Sequence, residues 1–150
     1  MRGIPGDLRQ FADRTAAGEF YEAFMVDGLW TRDELKPRVF QILYGHKGVM
    51  QNAELSKTFE TIFPTAYGML LKLKAEKGYK WVGTELQRRE SGVIIKGVCN
   101  RLRVEHPDVP VVTVHDSLMT TGEHLELVHE LLRREFGRFP MLPRFRVKVR

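Results

Sequence analysis

Apolar positions recur at helical spacing through the first two thirds of the chain and change period in the last third. From Asp7, which suits an N-cap, "DLRQFADRTAAGEFYEAF" carries apolar residues at roughly helical intervals, broken near Gly18. "TRDELKPRVFQILYG" follows, with Thr31 and Glu34 spaced as a capping box and Gly45 as a natural C-terminal stop. "ELSKTFETIF" and "PTAYGMLLKLKAEKG" read as two further helices; Pro64 suits a first helical position and Gly78 a helix end. "TELQRRESGVIIKGVCNRLR" is amphipathic, with Leu86, Glu90, Val93, Ile94 and Val98 on overlapping faces.

The β-branched "VPVVTVHD" runs straight into "SLMTT", which predicts strand, very tight turn, strand. "GEHLELVHELLRREFGRF" returns to helical period through Leu125, Val128, Leu131, Leu132 and Phe136. "RFRVKVR" then alternates, with Arg144, Arg146, Lys148 and Arg150 on one face and Phe145, Val147 and Val149 on the other. That basic face reads either as a solvated edge strand whose charges block aggregation or as a nucleic-acid contact. The pattern predicts an α/β fold of the α+β type: helix-rich, with one small antiparallel sheet of the 110–121 hairpin and a 144–150 strand. No repeat, low-complexity tract or linker divides the chain, so residues 1–150 read as a single domain.

A length of 150 residues is one domain's worth, enough to bury roughly 70% of the unfolded surface. Hydrophobic content of 43% with 29% charged residues is ordinary for a soluble globular protein. No apolar run approaches the roughly 18 residues of a membrane span, and "MRGIPGDLRQ" reads as neither a secretory nor an organellar signal. One cysteine, Cys99, allows no internal disulfide and no Cys-rich zinc site, so a reducing cytoplasm is the expected setting. Cys99 itself reads as a small core residue. Twenty-four Lys and Arg against nineteen Asp and Glu leave a net charge of +5, which favours a polyanionic partner, nucleic acid before membrane.

Two stretches carry candidate chemistry. Asp116 ends the β-branched run and reads either as a polar turn residue or as a functional carboxylate. His115 beside it cannot form a relay with it, because neighbours on a strand point to opposite faces. His124 and His129 are five apart, wrong for one helical face. In the earlier helix, Arg32, Lys36, Phe40 and Tyr44 recur every four residues and end at Gly45. Two cations followed by two aromatics along one drifting stripe can bind a triphosphate and stack a base. The plainer alternative is an amphipathic helix with Phe40, Leu43 and Tyr44 in the core and its cations reaching to water.

The Arg32, Lys36, Phe40, Tyr44, Gly45 pattern resembles motif B, the fingers helix of family A DNA polymerases, and "VHD" at Val114 to Asp116 resembles their motif C. Between them, "FETIFPTAYGMLLKLKAEKGYKW" and "LQRRESGVIIKGVCNRL" are similar to the family's connecting helices in the same order. The resemblance spans nearly the whole chain and implies a fingers-like part over about residues 1–80 and a palm-like part over about 81–150. It implies that Arg32 and Lys36 grip the phosphates of a dNTP, with Lys36 also assisting the leaving group. Phe40 then packs on base or sugar, Tyr44 and Gly45 lie near the template base, and Asp116 binds catalytic Mg2+ in a two-metal site. Gln87, Glu90 and His115 fall where the family holds primer–template DNA.

The chain also departs from the family. Ser117 stands where the family usually has Glu after the motif C aspartate, a trait of the related single-subunit RNA polymerases, which carry Met at the position of Phe40. Pro37 lies inside the fingers helix and is expected to kink it. Motif A, which supplies the first metal-binding aspartate, has no clear match; Asp7 is the one tempting candidate, yet "MRGIPG" before it is no core strand. The resemblance therefore implies template-directed nucleotidyl transfer only if a second polymerase chain supplies motif A. Its alternative is a non-catalytic nucleotide- or nucleic-acid-binding remnant, or a subunit of a split polymerase.

Overall fold

The computed structural model describes residues 3–25, 28–114, 117–139 and 143–148. Helices dominate: α1 Gly6–Ala17, α2 Arg32–Tyr44, α3 Lys47–Asn52, α4 Ser56–Ile62, α5 Pro64–Lys77 and α6 Tyr79–Ser91. A π-helical stretch, Gly92–Cys99, precedes α7 Asn100–Glu105; strands β1 Val112–Val114 and β2 Ser117–Met119 follow, and α8 Leu125–Phe136 comes last. With its two-stranded antiparallel sheet the fold is of the α+β class. The chain divides into two compact units, Met1–Glu85 and Leu86–Arg150.

In the first unit the core is built on α2. Leu35, Val39 and Ile42, spaced for one helical face, are buried against Phe24, Met50, Phe59, Phe63, Ala66 and Tyr67. The rings of Phe11, Phe20, Phe24, Phe59 and Phe63 form a cluster, with centroids 5.0 Å apart for Phe11 and Phe20 and 5.3 Å for Phe11 and Phe63. Edge-to-face pairs of this kind add specificity to area burial. The two buried hydroxyls, Ser56 Oγ and Tyr67 Oη, satisfy one another at 2.7 Å.

The start of α5 shows how a distant residue completes a helix. Pro64 at its first position has no N–H, and the next orphan donor, the Thr65 backbone N–H, reaches Asp7 Oδ2 at 2.7 Å. The Thr65 hydroxyl donates to Asp7 Oδ1, also at 2.7 Å. Burial pulls the Asp7 pKa upward, but the hydrogen bonds from Thr65 outweigh it and hold the carboxyl below its usual range.

In the second unit Val98 and Leu102 pack against Val128 and Leu131 of α8, with Val109, Val111 and Leu118 around them. Buried Glu135 of α8 is held by Arg101 at 3.0 Å and Arg138 at 2.9 Å. Gly97 makes room for this carboxylate: a Cβ there would stand 2.9 Å from Glu135 Oε2. The hairpin pairs Val112 with Met119, Thr113 with Leu118 and Val114 with Ser117. Leu118 packs on the core, whereas Val112, Val114 and Met119 stay exposed.

Two sequence expectations change. Residues 143–148 form no strand, so among the described residues the sheet is the hairpin alone. The cause is Phe145, whose ring packs edge-on against Phe136 and His129 of α8; its alternation serves a helix face, not a sheet. Second, Leu86, expected on the apolar face, is exposed, whereas Ile94 and Val98 are buried. Pro37 lies inside α2, which runs through to Tyr44.

Candidate functional site

Helix α2 begins with the capping box read from the sequence. The Thr31 hydroxyl accepts from the Glu34 backbone N–H, and Glu34 Oε2 accepts from the Thr31 N–H at 2.8 Å. Two of the N–H groups that a helix start leaves without intrahelical partners, those of Thr31 and Glu34, are thereby used. Four residues on, each successive member of the Arg32, Lys36, Phe40, Tyr44 stripe is rotated by about 40° around the axis, so the stripe drifts beside the core face rather than into it.

Arg32 is already engaged. Its guanidinium donates to Glu22 at 2.5 Å and to the Gly18 carbonyl at 3.1 Å, and lies 5.2 Å from the Tyr21 ring centroid. Among the described residues Lys36 is held only by Asp33 of its own helix, at 2.6 Å. That hydrogen bond, with the lysine charge, holds the Asp33 carboxyl below its usual range. Both side chains are open to water, where ion pairs are screened and weak. Lys36 can therefore change partner at little cost, whereas Arg32 must release a carboxylate, a carbonyl and a ring.

The aromatic half of the stripe faces solvent. Phe40 is 50% exposed and Tyr44 38%, with ring centroids 5.5 Å apart and planes tilted by 43°. The alternative that sends both rings into the core does not hold, because Leu35, Val39 and Ile42 occupy that face. Gly83 of α6 lets Tyr44 lie close: a Cβ there would be 3.3 Å from Tyr44 Cδ1. Beside it, His46 and Tyr79 form an edge-on pair at 6.1 Å, with Tyr79 also 38% exposed. "GYKW", starting at Gly78, contains that tyrosine, yet nothing local marks it as a neighbour of the α2 stripe.

The end of α2 is fixed by a residue the sequence did not single out. Lys74 of α5 is 5% exposed, and its ammonium donates to the carbonyls of Ile42 and Gly45, the latter at 2.7 Å. These are the carbonyls a helix C-terminus leaves unpaired. Burial pushes the Lys74 pKa down to about 8. A lysine in the apolar run "MLLKLKAEKG" was the available signal, but its partners lie about thirty residues earlier.

The remaining expected site residues lie in the second unit. Gln87 and Glu90 are exposed on α6. His115 and Asp116 lie outside the described residues. Among the described residues no group of three or more histidine, cysteine, aspartate and glutamate side chains is placed to hold a metal ion. Asp7, the tempting second carboxylate, has both oxygens on Thr65. Among the described residues, no helix is long and apolar enough to cross a membrane. No protein-family model matches the chain, and no curated protein or solved structure matches it.

Proposed function

We propose that this chain is a family A DNA polymerase-like module that binds a dNTP and primer–template DNA along α2, working in the cytoplasm. One observation carries the reading: Lys36, Phe40 and Tyr44 stand on the open face of α2, with the core taken up by other residues of the helix. An exchangeable cation one turn before two exposed rings suits a triphosphate joined to a base. Asp116 is the expected ligand for Mg2+, and such a metal would supply charge stabilisation during phosphoryl transfer. Transfer then needs a second chain to supply the motif A carboxylate.

A second reading, a module that binds nucleotide or nucleic acid without chemistry, is favoured by the commitment of Asp7 to Thr65. Titration of a labelled dNTP in Mg2+ buffer tests what both readings share. Lys36→Ala is expected to weaken binding about tenfold or more, the value of one charge-assisted hydrogen bond. Phe40→Ala is expected to cost about 1–3 kcal/mol, as when a base loses its stacking partner. Unchanged affinity in both variants, with native circular dichroism, would overturn the assignment of this face.

A further inference from the structure

We infer that residues 143–148, strapped to α8, form a second surface that binds the phosphate backbone of duplex nucleic acid without reading its sequence. This goes beyond the nucleotide face of α2 and does not depend on it. The second unit is the basic one: residues 86–150 hold 12 of the 24 Lys and Arg but only 8 of the 19 Asp and Glu. Much of that excess lies in and next to the strap. Arg144, Arg146 and Lys148 are exposed, and so are Arg133 and Arg134 in the last turn of α8.

Their charge is not neutralised from within. Arg101 and Arg138 are held by Glu135, but no described carboxylate forms an ion pair with Arg133, Arg134, Arg144, Arg146 or Lys148. Glu126 and Glu130 lie on the same helix and pair with none of them. The strap is nevertheless anchored. Phe145 sits against Phe136 at 5.3 Å and His129 at 5.7 Å, so the cations flanking it in sequence are held at α8 rather than on a loose tail.

The same anchor selects the ligand. Phe145 is half-buried and committed edge-on to Phe136 and His129, so the exposed groups the strap offers a polyanion are its cations. Duplex carries one phosphate per about 1.7 Å of axis, the densest common target for such a surface. An anionic membrane is the weaker fit, because residues 143–148 are not helical and present no amphipathic face to insert.

The test is binding of a blunt, labelled duplex, with no dNTP and no recessed end, measured across a salt series. Because the probe carries neither dNTP nor recessed end, binding lost in the strap variant but kept in Lys36→Ala separates this surface from the fate of the α2 reading. The triple variant Arg144→Ala, Arg146→Ala, Lys148→Ala is expected to bind at least tenfold more weakly at low salt. Its slope of log K against log salt should be shallower by about 0.9 for each phosphate that the variant no longer neutralises. Lys57→Ala, Lys72→Ala, Lys77→Ala, with the same change in net charge, should leave both quantities near the parent. Phe145→Ala keeps every charge yet should weaken binding by freeing the strap, with circular dichroism reporting a native helix content. Equal weakening in the two triple variants would reduce the effect to net charge and overturn the proposal. So would capture by phosphatidylserine vesicles with no binding to duplex.

Discussion

An ammonium group taken out of water has to find acceptors, and Lys74 finds two at the end of α2, the carbonyls of Ile42 and Gly45. Its pKa of about 8 lies below the ordinary 10.5. Below pH 8 the lysine is protonated in both folded and unfolded chains and contributes no pH dependence. Between pH 8 and 10.5 the unfolded chain binds more protons, so stability rises with pH, by at most about 3 kcal/mol. The neutral amine keeps two N–H groups and both carbonyl bonds survive. Urea unfolding followed by tryptophan fluorescence should show this rise in the parent and lose it in Lys74→Met; parallel profiles would show that Lys74 is not the titrating group. Asp7 is a second case of a residue with an unexpected destination. A carboxylate considered for a metal ends as the cap of a helix that starts 57 residues later.

Helix boundaries were the most legible feature because their causes are local. The Thr31–Glu34 box, Pro64 at the first position of α5 and Gly18 after α1 each act within one turn. Removing the cap hydroxyl by Thr31→Ala is expected to cost about 1 kcal/mol and to lower the melting temperature by about 2–4 °C. A scanning-calorimetry trace identical to the parent would mean that water replaces the hydroxyl fully. Pro37 removes one hydrogen bond from α2, and the helix continues through it to Tyr44 with Leu35, Val39 and Ile42 buried on its packed face. The π-helical turn at Gly92–Cys99 had no local signature, since it accompanies the packing of Gly97 on Glu135.

At the scale of the whole chain, charge and chemistry are unevenly spread: the exposed rings and Lys36 lie in the first unit, and most of the net positive charge lies in the second. If motif A has to come from elsewhere, the chain alone should bind a primer–template in a salt-sensitive way and add no nucleotide in Mg2+ and dNTP. Single-nucleotide extension by the purified chain, abolished by Asp116→Ala, would mean the site is complete. The sequence by itself determined most of the helical segments and the presence of a hairpin within 110–121, because these follow from interactions a few residues apart. The register of the strands came from the structure, and the sequence left out α3 and the first turn of α6. It also contained the stripe on α2 but left its exposure open, since any four-residue spacing fits either a core or a surface face. Only the tertiary structure decided that Phe40 and Tyr44 face water, that Arg32 is engaged by Glu22, and that Phe145 lies on a helix rather than in a sheet. Each of those outcomes depends on which distant element covers a given face, a competition among packings that no local pattern records.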